Sequence, residues 1–208
     1  MIKNDYIIRL EEKRDYNKTE NLVRESFWNV YKPGCDEHFV LKCLRSDPAF
    51  VPQLDFVMEK DGQIIGQIIF VKAVISKDDG SVLPVLTFGP VCIHPQYQHR
   101  NFGKKLVDFA LEKAAEIGFN AVFIEGNINF YRHCGFTFAR EYGIRYHGLP
   151  AGADDSFFLC KELLKDCLKD ITGEYATPKG YFSAIERADE FAEYESTFLL
   201  NDKPAQSV

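Results

Sequence analysis

The stretch FGPVCIHPQYQHRNFGKKL, residues Phe88 to Leu106, decides the fold. Its apolar start predicts a buried strand, and the apolar spacing after it predicts an amphipathic helix beginning near Lys104. The polar turn between them leads into a helix start, where amides lack intrahelical acceptors and the helix dipole adds partial positive charge. Because Arg100, Lys104 and Lys105 add charge of the same sign, the turn predicts a site for phosphate or pyrophosphate. A purely structural turn is the alternative.

The spacing of polar residues in this turn separates it from two common phosphate-binding motifs. It contains no G-x-G-x-x-G pattern, and no G-K-[ST] follows it. Gln98-x-x-Asn101-x-Gly103 instead resembles the Q/R-x-x-G-x-G/A motif of the GNAT superfamily of acyl-CoA-dependent N-acyltransferases. Asn101 stands where the family usually has glycine. Apart from glycine, asparagine most readily adopts a left-handed backbone, so the turn can form, although the side chain narrows the approach to a phosphate.

Three strands joined by tight turns precede this motif. Asp61-Gly62 and Asp79-Gly80 are each predicted to form a primed hairpin turn, which gives an antiparallel meander. Gly89-Pro90 lies inside the third strand, and proline cannot donate to a strand ladder. We therefore expect the third strand to part from its neighbour there and leave a wedge for a ligand; a bend without a ligand is the alternative. The three predicted strands are residues 54–59, 64–75 and 82–93.

A second motif follows the next predicted strand, residues 120–125, which we place parallel to the strand ending at Ile93. Tyr131-x-x-x-Gly135-Phe136 resembles the second GNAT signature, in the family's order and spacing. The resemblance covers roughly Tyr6 to Tyr146. The Gly-Asn-x-x-Phe-Tyr form of the second motif is similar to that of a bacterial subset of predicted acetyltransferases. It implies an α/β (α+β) fold with a mixed, mostly antiparallel central sheet, flanked by helices and splayed at the strand ending near Ile93.

Chain length, composition and net charge limit the classes of protein to which the sequence can belong. A chain of 208 residues with 46% hydrophobic composition predicts one domain, with residues 1–150 as the core and 151–208 as a C-terminal strand and helix extension. A net charge of −6 and a pI near 5.4 argue against nucleic acid or an anionic membrane as partner. The charged N-terminus lacks the apolar segment of a signal peptide, and no apolar run approaches the ~20 residues that cross a bilayer. We expect a cytoplasmic protein.

Six cysteines without a C-x-x-C pair predict reduced thiols, neither a disulfide framework nor a metal site. The resemblance implies acetyl-CoA as co-substrate. Its pyrophosphate would meet the amides from Gln98 to Lys104, and its pantetheine arm would pair with the strand main chain like an added strand. The predicted cofactor-binding residues are Val91, Cys92, Ile93, Gln98, His99, Arg100, Asn101, Phe102, Gly103, Lys104 and Asn127.

Direct acyl transfer needs a proton acceptor for the amine and a proton donor for the departing thiolate. The resemblance assigns Tyr131 as that general acid. Glu125, at the end of its strand, is the candidate proton acceptor, and a plain strand-end carboxylate is the alternative. His94 and His133 titrate in a suitable range and are further candidates. Cys92 and Cys134 would suit an acyl-cysteine route, but neither shows a Cys–His–carboxylate arrangement.

The predicted acceptor is a primary amine on a small molecule, a peptide terminus or a lysine. The acidic tail and negative net charge favour a cationic acceptor. The subunits could pair as a homodimer. A non-catalytic acyl-CoA binding or sensing module is the alternative function, and a dinucleotide-binding oxidoreductase is a third that the missing glycine fingerprint disfavours.

Overall fold

A computed structural model describes residues 5–198, which contain nine strands and six α-helices. The strands are β1 (Ile7–Leu10), β2 (Phe56–Lys60), β3 (Gln63–Lys77), β4 (Val82–Ile93), β5 (Ala121–Glu125), β6 (Thr137–Phe138), β7 (Ile144–Tyr146), β8 (Phe158–Glu162) and β9 (Gly173–Tyr175). The helices are α1 (Tyr16–Phe27), α2 (Glu37–Leu44), α3 (Phe102–Glu116), α4 (Ile128–Tyr131), α5 (Ser183–Glu186) and α6 (Ala188–Glu195).

The strands form one mixed sheet in the order β1-β2-β3-β4-β5-β8-β6, and β9 pairs with both β3 and β7. Most pairs are antiparallel; β4–β5 and β7–β9 are parallel. The predicted fold class is confirmed: a mostly antiparallel open sheet flanked by helices. The predicted parallel neighbour of β4 is also confirmed. Leu86 pairs with Val122, three residues before Gly89-Pro90, whose peptide bond is cis.

The internal contacts of the chain divide it into two compact units. Within the described residues, the first unit comprises 5–69, 89–106 and 179–198, and the second comprises 70–88 and 107–178. The boundaries fall inside β3, β4 and α3, so each of these elements contributes residues to both units. The expectation of a single domain over residues 1–208 stays a prediction.

The two hairpin turns of the meander differ. Asp61 and Gly62 have φ values of 51° and 78°, which confirms the primed turn between β2 and β3. The primed turn predicted at Asp79-Gly80 is wrong, because only Gly80 has a positive φ, at 84°. The Asp79 carboxylate accepts hydrogen bonds from the amide of Ser81 at 2.8 Å and from its hydroxyl at 2.6 Å. These bonds hold an Asx turn, a conformation that asparagine and aspartate favour.

The C-terminal part of the chain departs from the sequence predictions. The helix expected in the C-terminal extension is two helices, α5 and α6, that meet at Arg187 in a non-helical conformation. Strand β9 was not predicted. Strand β7 begins at Ile144, because Gly143, with φ 74°, ends a 3-10 turn before it.

Aromatic contacts hold α6 on α2 within the first unit. The Phe39 ring lies 5.4 Å from Phe191 and 5.5 Å from Tyr194, centroid to centroid. His38 is fully buried and stacks on Tyr194 at 5.5 Å. Its Nε2 lies 2.8 Å from Oε2 of Glu195. Helix α6 therefore covers the buried side chains of α2, although none of its own residues is fully buried.

The core of the second unit is aromatic and closely packed. Phe123 from β5, Phe158 from β8 and Tyr175 from β9 are almost completely buried, with ring centroids 5.1 to 5.9 Å apart. The Tyr146 ring of β7 packs edge-on against Phe158 at 5.3 Å. This packing fixes the direction of the ends of β5, β7 and β9.

Two chemical features bear on the predicted class. All six cysteines lie in the described part of the chain and carry free thiols. None of the helices between residues 5 and 198 is long and apolar enough to cross a membrane.

His38 predicts a pH dependence of stability. Burial lowers its pKa to about 4 from an ordinary value of 6.5, although the carboxylate of Glu195 opposes the shift. Between pH 4 and pH 6.5, the unfolded chain therefore binds a proton at His38 that the folded chain does not bind. The stabilisation from neutral His38 is full above pH 6.5 and is lost as the pH falls toward 4.

We expect His38→Phe to reduce the loss of unfolding free energy between pH 7 and pH 4.5 by roughly 2 kcal/mol relative to wild type. Urea unfolding at both pH values measures this difference, with His38→Gln as a second non-titrating variant. An identical pH dependence in all three proteins would show that His38 does not titrate in this window.

Candidate active site

The end of β4 is held by three hydrogen bonds within the first unit. The carbonyl of Ile93 accepts from Nε2 of Gln98 at 3.0 Å, and the amide of His94 donates to the carbonyl of Ile65 on β3 at 2.8 Å. Nδ1 of His94 accepts from the amide of Gln96 at 3.2 Å and caps the 3-10 turn that follows. The chain therefore leaves the sheet in a fixed direction.

The turn after β4 adopts the backbone that its sequence predicts. Asn101 has a φ of 66°, which confirms the expected left-handed conformation, and His99 is also left-handed, at 59°. Helix α3 begins at Phe102, two residues before the predicted start at Lys104. The amide of Lys105 donates to the carbonyl of Asn101 at 3.2 Å. The first-turn amides of α3, which have no acceptor inside the helix, therefore follow directly on the left-handed residue.

The side chains of the turn divide into a buried anchor and exposed polar groups. Phe102 is buried and packs edge-on against Tyr6 and Tyr97 at 5.7 and 6.3 Å. Arg100 is exposed, with its guanidinium 5.8 Å from the Tyr97 ring. Gln98 braces the turn through both its side chain and its amide, which donates to the carbonyl of Pro95 at 3.4 Å. The turn is therefore anchored by the buried ring of Phe102 and carries an exposed positive charge at Arg100.

Residues 91–93 lie against β3. Cys92 and Ile93 are buried, and a Cβ added to Gly66 would meet the Ile93 side chain at 2.6 Å and the Cys92 carbonyl at 3.2 Å. Glycine at position 66 thus permits the close approach of the two strands. Burial raises the pKa of the Cys92 thiol to about 12. A neutral buried thiol is a poor nucleophile, which supports a structural role for Cys92.

His94 borders a cavity of about 430 Å³ in the first unit. Its Nε2 lies 3.7 Å from Oε2 of Glu25 on α1. Helix α1 and the turn between β2 and β3 complete the wall of the cavity. The lining residues are Asn17, Lys18, Asn21, Leu22, Glu25, Gly62, Gln63, Ile64, Ile65 and His94.

In the second unit, Tyr131 is held by the backbone at the end of β5. A Cβ added to Gly126 would lie 2.4 Å from Cε2 of Tyr131, so the ring rests directly on this glycine. Phe88, Phe130 and Phe136 surround the ring, with centroids 5.9, 4.9 and 5.5 Å away. This packing explains why a glycine precedes the helix that carries the tyrosine.

Two other candidate catalytic residues follow Tyr131 in the sequence, and they differ in burial. Cys134 is buried and His133 is exposed. Asn127 is the N-cap of α4, where its Oδ1 accepts a hydrogen bond from the amide of Asn129 at 2.9 Å. Its predicted contact with a cofactor stays a prediction.

Glu125 ends β5 one residue before Gly126 and is exposed. Its Oε1 accepts hydrogen bonds from the hydroxyls of Tyr146 at 2.9 Å and Thr177 at 2.6 Å. Sequence patterns indicated neither hydroxyl. The parallel pairing of β7 with β9 sets Tyr146 opposite Tyr175, two residues before Thr177, and β9 had no recognisable strand pattern.

The predicted site residues thus fall into two groups. The first unit contains the end of β4 and the turn, residues 91–93 and 98–104; the second contains Glu125, Asn127 and Tyr131. Their assignment to catalysis and cofactor binding remains a prediction. Across residues 5–198, no cluster of three or more His, Cys, Asp or Glu side chains is arranged to hold a metal ion.

Comparison with known proteins places the chain in a family. Residues 54–138, which include both motifs, match the model of the acetyltransferase (GNAT) domain. The crystal structure of the GNAT family N-acetyltransferase YhbS from Escherichia coli, in complex with CoA, superposes with a TM-score of 0.73 at 25% identity; the match covers 85% of this chain and 92% of that one. Over residues 54–138, the chain therefore matches the GNAT superfamily of N-acetyltransferases.

Other similar proteins are also described as N-acetyltransferases or acetyltransferases. The sequence of uncharacterized N-acetyltransferase YhbS from E. coli K12 is 25% identical over 167 residues, 80% of this chain and 93% of that protein. Uncharacterized N-acetyltransferase YjhQ, also from E. coli K12, is 27% identical over 94 residues, and the match spans 45% of this chain but only about half, 51%, of YjhQ. A GNAT family acetyltransferase from Brucella melitensis, solved in complex with acetyl-CoA, shares the fold with a TM-score of 0.66 at 23% identity, over 85% of this chain and 97% of that one.

The contact between Gly126 and Tyr131 can be tested by a double-mutant cycle. We expect Gly126→Ala to cost about 1–3 kcal/mol of unfolding free energy, because the added methyl group overlaps the ring. The same substitution in a Tyr131→Ala background should cost much less, because the overlapping ring is absent. Urea unfolding of the four proteins measures both costs. Equal costs in both backgrounds would contradict the packing described.

Proposed function

We propose that the protein transfers an acetyl group from acetyl-CoA directly to a primary amine. The observation that carries the proposal is the left-handed backbone of Asn101 in the Gln98-x-x-Asn101-x-Gly103 turn, which supports a phosphate-binding role for this turn without the family's usual glycine. The CoA and acetyl-CoA bound in the YhbS and Brucella structures support the same co-substrate.

The first unit is proposed to bind the co-substrate. The amides of His99 to Lys104, helped by the α3 dipole and by Arg100, would neutralise the pyrophosphate. Gln98 serves this role by bracing the turn. The main chain of residues 91–93 would accept the amide-rich pantetheine arm, and a strand amide near Cys92 would donate to the oxyanion of the tetrahedral intermediate.

The second unit is proposed to supply the proton transfers. The amine gives up a proton to Glu125, and its nitrogen lone pair attacks the acetyl carbonyl carbon. The carbon–sulfur bond then breaks and Tyr131 protonates the leaving thiolate. The nitrogen, now bonded to the acetyl carbon, gives its second excess proton to the tyrosinate, and the products are the acetamide and the CoA thiol. The aromatic cage around Tyr131 would keep the phenol in one orientation.

A non-catalytic acyl-CoA binding module is the second candidate. The exposed side chain of Asn101 favours it, because this group narrows the turn in which the pyrophosphate would lie. The two functions differ in turnover and agree in acetyl-CoA binding. A homodimer and a cytoplasmic location stay predictions.

The first test is calorimetric titration with acetyl-CoA and, separately, NADH. We expect micromolar binding of acetyl-CoA and none of NADH, followed by acetylation in a primary-amine library monitored as release of the CoA thiol. Absence of acetyl-CoA binding would contradict both candidate functions. Binding without any turnover would favour the binding module.

Substitution of Tyr131 tests the general acid. Tyr131→Phe should lower kcat by roughly 100-fold, because the thiolate loses its proton donor, while the Kd for acetyl-CoA stays within about twofold. Tyr142→Phe, which removes a hydroxyl bonded to Glu162, is the control and should leave both values unchanged. Unchanged turnover in Tyr131→Phe would refute this role.

Substitution of Asn101 tests the phosphate turn. Asn101→Gly keeps the left-handed backbone and removes the obstructing side chain, so we expect several-fold tighter acetyl-CoA binding. Asn101→Val should weaken binding, because a β-branched residue resists positive φ. Asn29→Gly changes the other left-handed asparagine, at φ 59°, and is the matched control. If calorimetry gives Asn101→Val and Asn101→Gly the same affinity for acetyl-CoA, the turn does not bind CoA.

A further inference from the structure

The two oxygens of the Glu125 carboxylate are in different environments. Oε1 accepts from Thr177 at 2.6 Å and from Tyr146 at 2.9 Å, and these two hydroxyl oxygens lie 2.7 Å apart. Oε2 has no hydrogen-bond donor within residues 5–198, and the residue is exposed. One oxygen is therefore anchored and the other faces outward.

The three contacts share only two hydroxyl protons. Thr177 donates its one proton to Glu125, so the Tyr146 proton is shared between Oγ1 of Thr177 and Oε1 of Glu125. Hydrogen bonds in such a chain strengthen one another. A separation of 2.6 Å is typical of a hydroxyl that donates to a carboxylate. Thr177 is thus the direct anchor of Glu125, and Tyr146 orients Thr177.

The anchor is itself rigid. The Tyr146 ring packs edge-on between Phe157 and Phe158, at 5.1 and 5.3 Å, and lies 6.1 Å from Tyr175. Burial, reinforced by the negative charge of Glu125, raises the pKa of Tyr146 to about 12. The phenol is protonated at neutral pH and remains a donor.

The charge of Glu125 is not compensated by a cation of the described chain. No Lys, Arg or His among residues 5–198 forms an ion pair with it, whereas Glu11, Glu20 and Glu195 each pair with an arginine. Both of its hydrogen-bond donors are neutral. Glu162, which ends β8, also forms no ion pair among the described residues, but each of its oxygens accepts a hydrogen bond, from Tyr142 and from the amide of Leu168. In Glu125 one oxygen has no donor in the described chain and is left to receive a cationic ligand.

We propose that Thr177 and Tyr146 are positioning residues for Glu125, and that Oε2 of Glu125 receives the ammonium group of a cationic primary amine. The inference rests on the proposed acetyl transfer and narrows its acceptor to amines that arrive protonated. One nitrogen–hydrogen bond of the ammonium breaks, and the proton moves to Oε2. The electron pair stays on nitrogen, which becomes the nucleophile.

Two probe amines separate this role from general damage to the fold. Propylamine is a cation at pH 7, whereas methoxyamine is a weak base that is already neutral and needs no deprotonation before it attacks. With acetyl-CoA saturating and spontaneous reaction subtracted, the readout is kcat/KM for propylamine divided by that for methoxyamine. We expect this ratio to fall roughly 100-fold in Glu125→Gln and roughly tenfold in Thr177→Val, with Tyr146→Phe between Thr177→Val and wild type.

Two matched controls are present in the same unit. Thr137 donates to the carboxylate of Glu141, and Tyr142 donates to that of Glu162 at 3.4 Å. Thr137→Val and Tyr142→Phe should leave the ratio unchanged. If Thr177→Val lowers the rates with both amines by the same factor, or lowers neither, the positioning role is overturned.

A binding measurement keeps the inference testable without turnover. Titration of propylammonium chloride into the 15N-labelled protein should shift the backbone amide signals of Glu125, Gly126 and Thr177 to saturation, and Glu125→Gln should abolish the shifts. Saturable shifts without acetylation of any amine would refute the proposed acetyl transfer and leave the cation site standing. Absence of saturable shifts in the wild type would overturn the site, whatever the acetylation assay shows.

Discussion

The structure depends on how the chain leaves β4. The carbonyl of Ile93 and the amide of His94 are both engaged, the first by the side chain of Gln98 and the second by β3. Two left-handed residues, His99 and Asn101, then reverse the chain into α3. Because the direction is fixed before the helix begins, the buried face of α3 and its first amides are set by the same few hydrogen bonds.

The Cys92 thiol and the Glu125 carboxylate differ in burial, and this difference suits them to opposite chemical roles. Cys92 is buried, which raises the pKa of its thiol and keeps it neutral and unreactive. Glu125 lies at a strand end and is exposed, with neutral hydroxyls as its only hydrogen-bond donors in the described chain. A direct-transfer reaction, which uses a carboxylate and no covalent cysteine, follows this distribution better than an acyl-cysteine route.

Features that depend on a residue's own conformational preference could be predicted from the sequence. Asn101 and the Asp61-Gly62 turn are of this kind, since positive φ is a local property. Asp79 was misjudged because its side chain found partners in Ser81. Thr177 is 52 residues from Glu125 along the chain, and the two meet only because β9 pairs with β7. No local pattern carries that information.

The packing of α6 on α2 has a consequence for synthesis on the ribosome. Phe39 and His38 emerge early, but their partners Phe191 and Tyr194 are among the last described residues to be translated. The nascent chain must therefore carry an uncovered aromatic surface through most of its elongation. Such a surface is where a chaperone that recognises exposed apolar segments would bind, and where a stalled or truncated chain would begin to aggregate.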